Sequence, residues 1–86
     1  MDGTLTPNEA LRRAVELAGG QSALARLIGR SQQAISDRVG GDQSLWAEDV
    51  LKVELETGVP RWQLRPDLYP PEEYALLAAM RAGDAA

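Results

Sequence analysis

The stretch from Gln21 to Gly41, QSALARLIGRSQQAISDRVGG, constrains the chain more than any other. Leu24, Leu27 and Ile28 recur at the i, i+3, i+4 spacing that sets three side chains on one helical face, and the run stops at Gly29. A residue without a Cβ can take positive φ there, so the chain can turn sharply. A second run opens with Ser31, whose hydroxyl can accept a free backbone N–H of a helix start, and it carries Ile35 and Val39 four apart. Two short helices meeting at a glycine are expected, with the remainder of the chain as their support.

Ala25 lies where the two helices cross if they pack at the steep angle of a helix-turn-helix, and only a small side chain lets the backbones approach there. Ala25, Gly29 and Ile35, flanked by apolar Leu24, Ile28 and Val39, give the segment its likeness. It resembles the Cro-like and repressor-like helix-turn-helix regulators of phages and bacteria. The resemblance implies an all-α fold, a small helix-turn-helix (lambda-repressor-like) domain of four to five helices. Two positions depart from the pattern. Arg38 stands where such regulators often bury an apolar or aromatic residue, and Arg30 replaces a common valine in the turn. An arginine can lay its stem on the core edge and send its charge to a phosphate.

With 86 residues the chain is expected to form one domain with a thin core, which association with a second copy would help. It has no cysteine and no histidine, which excludes a disulfide framework, the usual kinds of zinc site and any triad chemistry that needs imidazole. No carboxylate pair, no nucleophile with its base and no phosphate loop stands out, so neither an enzyme nor a cofactor is expected. There is no run of about 18 apolar residues and no basic leader followed by an apolar segment, so the protein is expected in the cytoplasm, with no membrane partner. The net charge of −4 on its own argues against nucleic acid, because phosphate neutralisation dominates affinity for DNA. The charge is unevenly spread, however. From Asn8 to Gly41 five arginines face three acids, and from Asp42 onward nine acids face four bases. A basic reading face with an acidic remainder fits a small DNA-binding regulator.

Residues 1–7 are expected to be flexible up to Thr6-Pro7, which read as N-cap and first position of a helix, with Glu9 completing a capping box. Leu11, Ala14, Val15 and Ala18 form its apolar face, Gly19-Gly20 stop it, and Arg12 and Arg13 turn to solvent or to a backbone phosphate. Gly40-Gly41 end the third helix before a polar loop, Asp42-Gln43-Ser44. Trp46, Val50, Val53 and Thr57 then trace the face of a fourth helix at spacings of four, three and four, with Trp46 in the core and Gly58 as the cap.

In the segment TGVPRWQLRPDLYP, residues 57–70, Pro66 and Pro70 forbid a long helix. Leu64, Leu68 and Tyr69 give it enough apolar surface to fold back on the first and fourth helices, and Arg65 is expected to pair with Glu54. Gly58, Val59, Leu64, Arg65, Pro66, Asp67, Tyr69 and Pro70 resemble the end of the YdaS-like antitoxin branch of helix-turn-helix proteins. That resemblance implies a prophage or toxin-antitoxin regulator that binds operator DNA as an oligomer.

Pro71-Glu72-Glu73 begin a last helix. Tyr74, Leu77, Ala78 and the stem of Arg81 share one side of it, and Leu76 and Met80 another, so it is apolar nearly all round. It is a candidate dimer or partner surface, or a lid on the core. The expected organisation is a flexible N-terminus (1–7), a helix-turn-helix DNA-binding domain (8–70) and a C-terminal helix and tail (71–86) that is a candidate oligomerisation element.

If the helix from Ser31 to Gly40 enters the major groove, its outward side chains Ser31, Gln32, Gln33, Ser36 and Asp37 touch base edges. Glutamine can give and take a hydrogen bond with adenine at once, and adjacent glutamines recur at this site in the phage repressors that the segment resembles. Asp37 would accept from a cytosine amino group or hold Arg38 or Arg30 in place. Gln21 and the free N–H groups beside it suit a phosphate, and Arg26, Arg30 and Arg38 add charge. One helix reads only a few base pairs, so two copies on half-sites about one helical turn apart are expected. The expectation is a sequence-specific transcriptional regulator, a repressor from a phage, prophage or toxin-antitoxin locus. Its partners would be double-stranded operator DNA, a second copy as a dimer, and a toxin or other protein. The alternative is a protein-binding antitoxin or phage inhibitor module that acts through the acidic C-terminal half.

Overall fold

The computed structural model describes residues 5–73, and its first helix begins where the capping chemistry puts it. α1 spans Pro7–Ala18. Thr6 Oγ1 accepts from the Glu9 N–H at 3.1 Å, and the Thr6 N–H donates to Glu9 Oε1 at 2.8 Å. Both bonds satisfy donors that a helix start leaves free. Ala10, Leu11 and Ala14 are fully buried, and Val15 and Ala18 pack against the same core from its edge.

α2, Gln21–Ile28, and α3, Gln32–Gly40, are joined by a turn in which Gly29 sits at φ 71°. A side chain at that φ would meet its own backbone, so the glycine permits the turn. The Arg30 N–H then donates to the Ala25 carbonyl at 2.9 Å, closing the end of α2. Ser31 caps α3, its Oγ accepting from the Ala34 N–H at 3.1 Å. Ala25 and Leu24 are buried on α2, and Ile35 is the buried residue of α3, so the two helices meet across the small side chain as the spacing predicts. At the far end of α3, Gly41 is required by a close approach. A Cβ there would stand 2.9 Å from the Asp37 carbonyl oxygen.

The fourth helix starts later than the periodicity predicts. Trp46 has extended backbone (φ −61°, ψ 139°), a single 3₁₀ turn follows over Ala47–Asp49, and α4 runs from Val50–Thr57. Val50 and Val53 are fully buried as expected, and Trp46 is half-buried at the edge of the core. The spacing of Trp46 from Val50 is therefore helical in number only. Gly58 caps α4, and a short helix that follows Pro60, α5 at Arg61–Leu64, buries Leu64 beneath α1 and α4.

Leu11, Leu24, Ile35, Leu45, Val50, Val53 and Leu64 form the fully buried centre. Burial of each such side chain contributes about 1.5–3 kcal/mol. The described residues form an all-α fold with no strand. Residues 71–73 are helical, and the rest of the expected C-terminal helix lies outside the described residues.

The tail is tied down by a different arginine from the one expected. Glu54 pairs with Arg61, its Oε1 accepting from Nε at 2.9 Å and its Oε2 from the Arg61 N–H at 3.1 Å. Arg65 instead donates to Asp67, from Nη2 to Oδ2 at 2.7 Å, and to the Leu45 carbonyl at 3.0 Å. The four-residue α5 explains the exchange. It sets Arg61 beside the end of α4 and carries Arg65 away towards Leu45.

Candidate nucleic-acid interface

α3 buries one side chain fully and has others at the edge of the core. Ser31, Gln32, Gln33 and Asp37 are exposed and Ser36 is half-exposed, while Ile35 faces the core. The five side chains expected to read bases therefore lie off the packed side of the helix. Their hydrogen bonds set how they are presented. Ser22 Oγ donates to Gln32 Oε1 at 2.8 Å, which engages the side-chain oxygen of Gln32 and not its amide N–H groups. Gln33 Nε2 donates to Asp37 Oδ1 at 2.8 Å, so Asp37 holds this glutamine and neither Arg38 nor Arg30. The Ser31 hydroxyl is engaged in its cap.

Gln21 opens α2 and is half-buried, and Arg26, one turn after Ser22 on the same helix, is exposed. Arg26 and Arg13 have no ion pair among the described residues.

Arg30 and Arg38 do not send their charge outward. The Arg30 Cζ lies 4.0 Å and the Arg38 Cζ 4.4 Å from the centroid of the Trp46 ring. Arg30 Nε donates to Asp49 Oδ2 at 2.6 Å and Nη2 to Glu48 Oε2 at 3.0 Å. Arg38 Nη1 donates to the Ser44 carbonyl at 2.9 Å. The hydrogen bond to Asp49 raises the Arg30 pKa above its ordinary value. Glu48 is held below the usual carboxylate range, first by a hydrogen bond from backbone N–H and then by Arg30. The two departures from the helix-turn-helix pattern are thus one arrangement, with the arginines stacked on a tryptophan that takes the place of an apolar contact.

Asn8 is a residue that sequence reasoning passed over. It is 6% exposed, and its Nδ2 donates to the carbonyls of Arg38, Val39 and Gln43 at 3.4, 3.3 and 2.9 Å, closing the C-terminal end of α3. Arg12 supports it, with Nε donating to Asn8 Oδ1 at 2.8 Å and Nη2 to the Val39 carbonyl at 3.3 Å. Arg12 is therefore engaged in the fold, and Arg13 alone of the pair remains turned out. The signal available in the sequence was an asparagine four residues before an arginine in a first helical turn.

Among the described residues there is no cluster of acids able to hold a metal ion, and no helix long and apolar enough to cross a membrane. The fold and this surface define a small all-α protein built on a helix-turn-helix. Its family follows from a second line of comparison. The family model described as bacterial toxin YdaS matches residues 11–73, so the chain belongs to the YdaS family. That description speaks of a toxin, where the tail segment resembles an antitoxin branch. No curated protein and no solved structure matches the chain.

Proposed function

We propose that the protein is a sequence-specific DNA-binding regulator that reads the major groove with α3. The observation that carries this is the presentation of α3. Ile35 and Ala25 are both buried where α3 packs on α2, Gln32, Gln33 and Asp37 are left exposed, and Arg26 on α2 has no ion pair among the described residues. Exposed amides on a helix docked at one face are suited to base edges, and an unpaired guanidinium on the neighbouring helix is suited to a phosphate. Arg13 and Arg26 supply the phosphate charge in this reading, because Arg30 and Arg38 are engaged within the fold. Membership of a family described as a bacterial toxin supports a toxin-antitoxin or prophage locus, where a small repressor acting as a dimer on its operator has a role.

The test is selection from a randomised duplex library at two salt concentrations, run in parallel with the native chain and a Gln32→Ala, Gln33→Ala double variant. The expected result is an enriched inverted repeat that the double variant no longer enriches. Absence of enrichment at either salt would remove the proposal.

A protein-binding module is the second reading, favoured by Leu51 and Leu55, which stand one turn apart on α4 with 51% and 82% exposure in the acidic half of the chain. Salt separates the two readings, since phosphate contacts make affinity fall steeply with ionic strength.

A further inference from the structure

α3 has one buried side chain, Ile35, near its middle. Val39 packs partly buried against the same core and Asn8 bonds the carbonyls at the C-terminal end, and base reading requires both the tilt and the rotation of the helix to be fixed. The Trp46 ring supplies a further restraint that links the two ends. Arg30 precedes α3 by two residues and Arg38 lies in its last turn, with about 9 Å of helix from Gln32 to Arg38 at 1.5 Å per residue. Both guanidiniums nevertheless reach one indole, at 4.0 and 4.4 Å. Two cations on one ring repel each other, and Asp49 and Glu48 offset the charge of Arg30 through bonds of 2.6 and 3.0 Å. The Ser44 carbonyl fixes Arg38 from the same loop. Residues 44–49 thus form a clip along α3 that grips it near both ends, and the extended backbone at Trp46 aims the ring between the two arginines.

We propose that Trp46 is a positioning residue for α3, setting the tilt and rotation at which Gln32, Gln33 and Asp37 meet DNA. The proposal rests on the DNA-reading function above, and its test separates the two.

The full 86-residue chain is compared with Trp46→Leu, Trp46→Phe and Asp49→Asn by two measurements. One is amide hydrogen exchange without DNA. The other is the ratio of affinities for the duplex that the native chain enriches from the library and for a scrambled duplex of equal length. Trp46→Leu keeps apolar bulk but has no ring face. It is expected to speed exchange across Ile35–Val39 by about tenfold while Leu11–Ala14 exchange as in the native chain, and to lower the affinity ratio by about tenfold. Trp46→Phe restores a ring face and is expected to keep both within about threefold of native. A Trp46→Leu variant with native exchange in α3 or a native ratio would overturn the proposal. So would a Trp46→Phe variant that loses as much as Trp46→Leu, since bulk rather than the ring face would then be responsible. Should Trp46→Leu fail to fold, Asp49→Asn decides, because it leaves the ring in place and removes the charge of the nearer carboxylate partner of Arg30. Faster exchange at Ala34 and Ile35 supports the clip, and native exchange there overturns it. If the native chain enriches no duplex, the DNA reading fails, and the exchange measurement still decides the clip.

Discussion

Removing the Asn8 carboxamide would leave the carbonyls of Arg38, Val39 and Gln43 without their shared donor, and Arg12 without one of its acceptors. The bond to Gln43, at 2.9 Å, is the strong one of the three. Because Asn8 is buried, Asn8→Ala is expected to cost about 1–3 kcal/mol, seen as a lower urea midpoint at unchanged slope. A native midpoint would mean that water and the remaining donors, the Gln43 and Asp42 N–H groups and Arg12, satisfy these carbonyls equally well. Glu54 makes a comparable tie at the other end of the fold. Its pair with Arg61 is partly exposed, at 23% and 35% for the two side chains, so screening takes a share of its strength. Glu54→Gln is expected to destabilise by about 1 kcal/mol and to leave the enriched DNA sequence unchanged. A changed base preference would show that the end of α4 communicates with α3.

At the level of elements, the two glycines that close α3 make different demands. A Cβ at Gly41 would collide with the Asp37 carbonyl at 2.9 Å, whereas one at Gly40 meets nothing within 4 Å. Gly41→Ala is expected to cost about 1–3 kcal/mol, while Gly40→Ala is expected to gain a few tenths of a kcal/mol or more by restricting the unfolded chain. Thermal melts of the two variants should move in opposite directions, and a shared direction would refute the distinction. α1, α2 and α3 were legible in the sequence because each carries its own local signals. Thr6, Ser31 and Gly29 mark ends, and Leu11, Leu24 and Ile35 mark faces. The start of α4 was not, because spacing counts residues and is blind to the partners that decide backbone conformation. Trp46 stands four before Val50, yet its backbone is extended and its ring lies against Arg30 and Arg38. The same blindness chose Arg65 over Arg61 for Glu54, since the short α5 that separates the two arginines has no periodicity to detect. For the candidate interface, which residues α3 exposes was legible. Which charges the fold consumes internally was not.

Across the whole molecule, electrostatics divides the arginines into two groups. Arg30 carries an offsetting carboxylate pair, and Arg26 carries none among the described residues. If the proposed function is right, Arg26→Gln should lower the slope of log affinity against log salt by about one and leave base preference intact. Arg30→Gln should leave that slope as in the native chain and show instead as lost stability. Equal slopes for native and Arg26→Gln would place the phosphate contacts elsewhere.

The Asn8 contacts also bear on where the unit begins. The family match starts at residue 11, but the capping box of Thr6 and Glu9 and the carboxamide that closes α3 all lie upstream of it. A fragment cut at the matched limits would keep the recognisable motif and lose the peg that holds its far end, and it is expected to melt at a lower temperature than one that begins at Thr6.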